Sequence, residues 1–170
     1  MSFTETKFGQ ILETLSRGEV RFIVIGGLAA MAHGNARSTY DVDVVYARDA
    51  ENIRRLAAVL VPYRPYLRGA PPGLPFTFDE KTIRMGLNFT LVTSLGDLDL
   101  LGEVAGAGDY HALLPHSAEV ILFGVSCKCA SLERLIQMKR AAGRPKDMLV
   151  LAELVALLEE KRAGEGSRGS

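Results

Sequence analysis

Two pairs of aspartates are the residues in this sequence with the clearest chemical potential. Asp41 and Asp43 lie in "YDVDVVYA", and Asp97 and Asp99 lie in "GDLDLLGEV". Both segments predict β-strands, in which side chains two residues apart project from the same face. If the two strands are neighbours, four carboxylates share one patch of sheet, and a positive partner is expected beside them. Oxygen-only ligands of this kind are typical of a site for a hard divalent cation such as Mg²⁺.

A glycine pair precedes the first aspartates. Gly26 and Gly27 end the predicted strand "EVRFIVIGG" and precede a short predicted helix, "LAAMAHG". Backbone N–H groups at such a position favour anions, and the missing Cβ atoms let a phosphate approach the backbone. A Gly-Gly pair alone is more often a packing turn. Because Arg37, Thr39 and an aspartate pair follow it closely, we interpret the turn as a phosphate site. No pattern of a P-loop or of a dinucleotide-binding fold is present.

The elements that would position these residues alternate between helix and strand. Apolar residues at helical spacing predict a first helix over residues 4–17. Asp49 is expected to cap the helix "AENIRRLAAVLV", and five prolines and two glycines between residues 62 and 75 predict a long loop. The segments "LNFTLVT" and "DLDLLGEV" predict a hairpin, and "AEVILFGVSCKCA" supplies more strand.

The end of the chain predicts a pair of helices. Ser131 is expected to cap a helix that ends at Gly143, and Pro145 is expected to begin another that reaches about residue 161. We therefore predict one domain over residues 1–162, with the helix pair at about 131–162 packed against the same sheet. The remaining residues, 163–170, predict a flexible tail.

Composition narrows the class of protein. The 170 residues are 48% hydrophobic and 24% charged, with a formal net charge of zero, which is ordinary for a globular protein. No signal peptide or long apolar run is visible, so we predict a cytoplasmic protein without membrane contact. Cys127 and Cys129 share one face of a predicted strand, and we interpret them as buried thiols. A neutral chain argues against a long nucleic-acid track.

Two local groups of basic residues remain candidates for binding. Lys139, Arg144 and Lys146 surround the break between the last two helices, where they either reach a phosphate or form a solvated helix end. In the proline-rich segment, tyrosines and arginines at residues 63–68 suggest one wall of an acceptor pocket. The alternative is that these tyrosines only cover the core. Arg37 has two open roles, neutralising phosphate or pairing with Asp41.

The segment "GGLAAMAHGNARSTYDVDVV", followed by "GDLDLLGEV", resembles the nucleotidyltransferase superfamily whose best-known member is DNA polymerase β. More narrowly, "ASLERLIQMKRAAGRPKDMLVLAELVAL" resembles small bacterial AbiEii-type nucleotidyltransferase toxins. The resemblance implies an α/β (α+β) fold, with a mixed sheet flanked by helices and a C-terminal helix pair. It covers roughly residues 20–158. One departure is Gly27, where many members of the superfamily have a serine that binds phosphate.

The resemblance implies Mg²⁺-dependent transfer of a nucleoside monophosphate from a nucleoside triphosphate, ATP among them, to an acceptor hydroxyl. By this resemblance two Mg²⁺ ions, or Mn²⁺, are held by Asp41, Asp43 and Asp99, which are also the catalytic residues. We prefer Asp99 to Asp97 as the third carboxylate because Asp99 lies deeper in the apolar run. The nucleotide-binding residues of this hypothesis are Gly26, Gly27, Arg37, Thr39, Lys139 and Lys146.

Three functional classes are compatible with this reading. The first is an enzyme that modifies a small molecule, a protein or an RNA end. The second is the toxin of a bacterial toxin–antitoxin pair, with a cognate antitoxin as partner. The third is a non-catalytic nucleotide-binding or interaction module that keeps the fold, which the presence of all three carboxylates argues against.

Overall fold

The structure is a computed structural model and describes residues 6–168. Its strands are β1 (Phe22–Ile25), β2 (Asp41–Tyr46), β3 (Tyr66–Leu67), β4 (Asn88–Thr93), β5 (Gly96–Leu101), β6 (Glu103–Val104), β7 (Gly108–Asp109), β8 (Ser117–Leu122) and β9 (Val125–Ala130). Its helices are α1 (Phe8–Arg17), α2 (Gly26–Ala32), α3 (Ala50–Leu60), α4 (Glu80–Met85), α5 (Tyr110–Leu113), α6 (Leu132–Ala142) and α7 (Pro145–Arg168). The predicted mixed α/β architecture is confirmed.

Seven strands form one mixed sheet in the order β3-β4-β5-β2-β1-β9-β8, and β6 and β7 form a separate ribbon. Strand β2 runs antiparallel to β1 and parallel to β5. The predicted β4–β5 hairpin is present, and β8 and β9 form a second hairpin. Because β2 and β5 lie side by side at the centre of the sheet, the two aspartate pairs become neighbours.

The core follows the alternation expected of half-buried strands. Val42 and Val44 of β2 and Leu98 and Leu100 of β5 are fully buried, while the aspartates between them remain partly accessible. Both cysteines lie buried in β9, as expected, and burial raises the pKa of Cys127 to about 11. These thiols are therefore packing residues.

Helix boundaries agree with the capping signals. The side chains of Asp49 and Ser131 accept hydrogen bonds from the backbone N–H groups of Asn52 and Arg134 and so begin α3 and α6. Gly143 ends α6 in a left-handed conformation at φ 62°. Helices α6 and α7 pack against each other as the predicted pair.

Several segments differ from the prediction. Gly26 and Gly27 are the first residues of α2 rather than the end of the preceding strand. Helix α1 begins at Phe8 rather than at residue 4, because Lys7 donates its backbone N–H to Leu95 O at 2.7 Å; residues 4 and 5 lie outside the described residues. The proline-rich stretch is not all loop, since β3 pairs with β4 at the edge of the sheet. Helix α7 continues through Arg168, beyond the predicted boundary at residue 162.

Over residues 6–168, none of the helices combines the length and apolar character that a bilayer crossing requires.

Candidate active site

The aspartates of β2 and β5 form one cluster. The parallel register pairs Asp41 with Asp97 and Asp43 with Asp99, so all four carboxylates project from the same face of the sheet. One carboxylate oxygen from each of Asp41, Asp43 and Asp99 lies within 4.8 Å of the other two. The structure thus brings together the three carboxylates that the resemblance selects. Asp97 lies in the strand beside them and not in the preceding turn.

The electrostatic environment of the cluster opposes ionisation. Burial, together with the negative charge of Asp41 and the nearby Asp99 carboxyl, raises the pKa of Asp43 to about 8, although Lys139 acts in the opposite direction. Burial also raises the pKa of Asp99, against the effects of Asp43 and Arg68. Without more positive charge, Asp43 and Asp99 cannot both be ionised cheaply at neutral pH.

Arg68 supplies the positive partner that the aspartate pairs predict. Its guanidinium lies 2.8 Å from Asp99 Oδ1, 3.4 Å from Asp97 Oδ2 and 4.0 Å from Asp41 Oδ2. Its Nη2 also donates a hydrogen bond to Leu91 O at 2.7 Å. The sequence singled out Arg68 only as part of an acceptor wall. Its position beside the carboxylates depends on the short strand β3. The proline-rich sequence around β3 predicted a loop and gave no sign of this strand.

The donor set fits a hard divalent cation. Its three side chains are carboxylates on adjacent strands, and such oxygens are the ligands that Mg²⁺ and Mn²⁺ prefer. Within the described part of the chain, Asp99 Oδ1 is buried without a well-formed hydrogen bond, and Arg68 Nη2 lies 2.8 Å from it as an ion-pair partner. A buried acceptor without a hydrogen-bond donor is unfavourable, and a cation would satisfy it.

The glycine turn packs directly on this cluster. Gly26 has φ +65°, and a Cβ atom there would lie 2.1 Å from Asp43 Oδ2. A Cβ atom on Gly27 would lie 2.6 Å from Thr39 Oγ1. Thr39 in turn donates a hydrogen bond to Asp41 Oδ1 at 3.3 Å. Both glycines are therefore needed for close packing against the carboxylate-bearing segment, whatever they contribute to phosphate binding.

A pocket of about 360 Å³ opens beside the carboxylates, between the sheet and helices α2, α6 and α7. Its polar lining contains the glycine turn, two of the aspartates and several basic or hydroxyl side chains: Gly26, Gly27, Asn35, Arg37, Ser38, Thr39, Asp43, Asp99, Lys139 and Arg144. The rest of the lining is mostly aliphatic and includes Leu101, Leu135, Met138, Val150 and Leu154. The pocket thus joins an acidic centre to a basic rim and an apolar floor. It is lined from this side of the sheet and not by residues 62–75, where we expected an acceptor wall.

The basic residues at the rim have acidic partners on α7. Arg37 makes a two-point ion pair with Glu153, with nitrogen-to-oxygen distances of 2.7 and 2.8 Å, and does not pair with Asp41. Arg144 Nε and Lys139 Nζ lie 2.7 and 3.2 Å from the carboxylate of Asp147.

Asp147 is only 1% exposed, and its hydrogen bond with Arg144 is the main reason that its pKa falls to about 2. The site therefore depends on two α7 carboxylates, Asp147 and Glu153, that no sequence motif indicated. Lys146, by contrast, is exposed and lies outside the pocket lining, whereas Arg144 belongs to it.

Sequence comparison identified neither a matching family model nor a matching curated protein. The fold, however, is similar to that of solved structures. A protein from Thermotoga maritima assigned to the nucleotidyltransferases (TM1012) superposes with a TM-score of 0.55 at 16% identity, over 88% of this chain and 90% of that one. The lincosamide antibiotic adenylyltransferase LnuA, solved with lincomycin bound, gives a TM-score of 0.58 at 15% identity, over 92% and 99% of the two chains.

A third structure extends the same likeness. An antigenic nucleotidyltransferase-like protein from Paracoccidioides brasiliensis gives a TM-score of 0.52 at 16% identity, over 89% of this chain and 73% of that one. At these identities the likeness establishes the fold alone, and any activity has to be inferred from the residues of the site.

Proposed function

Starting from a chain that has the nucleotidyltransferase fold, we propose that it transfers a nucleoside monophosphate from a nucleoside triphosphate to an acceptor hydroxyl with the help of a divalent cation. The observation that carries this proposal is the cluster of Asp41, Asp43 and Asp99, of which Asp43 and Asp99 line a pocket that also contains the glycine turn. A structural ion pair would not need three carboxylates around one point, and a simple packing turn would not need a pocket beside it.

In this proposal the three carboxylates hold Mg²⁺ or Mn²⁺, which would offset triphosphate charge and make the acceptor hydroxyl more acidic. Gly26 and Gly27 receive the phosphates. The acceptor oxygen forms a bond to the α-phosphorus, the bond from that phosphorus to the bridging oxygen breaks, and pyrophosphate leaves with the electron pair. Asp99 assists removal of the hydroxyl proton.

Arg37, Thr39 and Lys139 line the pocket and are the proposed phosphate or nucleoside contacts, with Arg144 in the place that we expected for Lys146. A nucleotide at the rim would compete with Glu153 and Asp147 for these side chains. The aliphatic part of the lining suits the flat face of a base or of another apolar group.

The proposed reaction needs a nucleotide donor and an acceptor. The likeness to an adenylyltransferase that acts on a lincosamide antibiotic supports ATP as the first donor to test and a small hydroxylated molecule as the first acceptor. An RNA end or a protein hydroxyl remains in the same reaction class, and an AbiEii-type toxin would differ only in that acceptor and in having an antitoxin partner.

The test is transfer of label from each α-³²P-labelled nucleoside triphosphate with Mg²⁺, to a panel of small hydroxylated molecules, total RNA and lysate protein. We expect a labelled product with wild type and with the Asp97→Asn control, and none with Asp43→Asn. Nucleotide binding without any labelled product across the panel would favour the non-catalytic module instead. Failure to bind any Mg²⁺–nucleotide complex would contradict both.

A further inference from the structure

The side chain of Arg68 occupies the space among the aspartates where positive charge is needed. Its guanidinium approaches Asp41, Asp97 and Asp99, while Asp43 lies on the side facing the glycine turn. We propose that Arg68 is a built-in counter-cation that competes with divalent metal for this cluster, so that metal binding displaces the guanidinium. This inference rests on the metal site of the proposed function.

The contacts of Arg68 are of a kind that a metal ion can replace. Within residues 6–168, Arg68 Nε is buried without a hydrogen-bond partner, and so is Asp99 Oδ1. The contacts of Arg68 with the carboxylates are ion pairs, and its Nη2 donates a hydrogen bond to Leu91 O. A Mg²⁺ ion carries twice the charge and binds carboxylate oxygens at about 2.0–2.1 Å, closer than a guanidinium can approach.

The carboxylates cannot bind the Arg68 guanidinium and a divalent metal ion fully at the same time. The oxygens of Asp41 and Asp99 that would ligate the metal belong to the carboxylates that Arg68 contacts. A guanidinium left beside a bound divalent ion would also be repelled by it. Metal binding and the Arg68 contacts therefore draw on the same carboxylates, and each weakens the other.

The side chain can leave while its backbone stays in place. Arg68 N donates to Thr90 O at 3.0 Å, and the preceding residue, Leu67, pairs with Leu91 in the sheet. The side chain itself is 28% exposed, so it has a path toward solvent.

The test is Mg²⁺ binding by isothermal titration calorimetry, without nucleotide, on wild type, Arg68→Gln and Arg64→Gln. Arg64 is a matched control because it lies in the same segment and makes none of the ion pairs seen for Arg68 within the described residues. We expect Arg68→Gln to bind Mg²⁺ about tenfold more tightly or better, the scale of one lost charge-assisted contact, and Arg64→Gln to match wild type. In the metal-free state Arg68→Gln should melt at a lower temperature.

The outcomes separate this inference from the proposed function. Wild type that binds Mg²⁺ with Arg68→Gln equal or weaker refutes the competition and leaves the metal site intact. Absence of Mg²⁺ binding in both refutes the metal site and the competition with it.

A second measurement does not depend on a variant that folds. In wild type, the buried Nε–H of Arg68 should exchange slowly with solvent without metal, and saturating Mg²⁺ should accelerate that exchange, as followed by ¹H–¹⁵N NMR. An unchanged Arg68 Nε–H signal at a Mg²⁺ concentration that saturates the calorimetric binding would overturn the proposal.

Discussion

Replacement of Asp43 by asparagine tests the electrostatics of the cluster directly. The folded pKa of about 8 compares with about 3.9 in an unfolded chain, and four units correspond to about 5 kcal/mol if nothing relaxes. The side chain is only partly enclosed and Lys139 acts against the shift, so we expect a smaller effect. Asp43→Asn should raise the free energy of unfolding of the metal-free protein by about 2 kcal/mol at pH 8.

The pH dependence has a definite sign. Above about pH 4 the Asp43 carboxyl ionises freely in the unfolded chain but stays protonated in the folded protein until its raised pKa is reached. Rising pH therefore favours the unfolded state. Wild-type stability should therefore fall through this group between about pH 4 and pH 8, and the advantage of Asp43→Asn should grow over that interval.

The assay is urea unfolding of both proteins with a chelator at pH 4.5 and pH 8, followed by melts with Mg²⁺ and ATP. At 100 times its dissociation constant the ligand should add about 2.7 kcal/mol to wild type and nothing to Asp43→Asn. A variant less stable than wild type at pH 8 in chelator would refute the account of the cluster. A variant that keeps the ligand shift would refute the role of Asp43 in holding the metal.

Three further predictions concern other parts of the site. Asp99→Ala should keep most nucleotide affinity in equilibrium binding but lose transfer by at least about 10²-fold, whereas Asp97→Ala should lose little; the reverse order would identify Asp97 as the third carboxylate. Gly26→Ala should destabilise the fold by more than about 1 kcal/mol in urea unfolding, since its Cβ would meet Asp43 at 2.1 Å and its φ is +65°, and an unchanged midpoint would contradict that packing. Asp147→Asn should lower the free energy of unfolding by about 2 kcal/mol at pH 7, because the lowered pKa of Asp147 stabilises the wild-type fold above about pH 4. In urea unfolding the difference from wild type should shrink as pH falls from 4 to 2, and a penalty that persists at pH 2 would show that charge is not the cause.

Much of the fold was predictable because the signals are local. The alternation of Asp and Val in β2 identifies both a strand and its two faces, and Asp49 and Ser131 mark helix starts through hydrogen bonds that span three residues. The proximity of Asp43 and Asp99 was predictable on the assumption that the two aspartate-bearing strands are neighbours in the sheet.

The remaining features depend on contacts between distant parts of the chain. The need for a cation beside the aspartates was predictable, but its source was not, because β3 is a two-residue strand whose place in the sheet comes from its pairing with the distant β4. The partners of Arg37 and Lys139 lie on α7, whose position relative to the sheet leaves no mark in local sequence spacing. Likewise, the packing of Gly26 on Asp43 is visible only in three dimensions.

The order of strands in the sheet has a consequence for how the site assembles during folding. Strands β3, β4 and β5 are joined antiparallel in sequence order, so Arg68 can meet Asp97 and Asp99 through contacts local to one meander. Asp41 and Asp43 lie in β2, whose antiparallel pairing with β1 also joins strands that follow one another in sequence. We expect the parallel docking of β5 on β2 to be the late step, because it brings like charges together across a long loop closure. A meander that already carries its own arginine arrives partly neutralised, which lowers the electrostatic barrier to that docking.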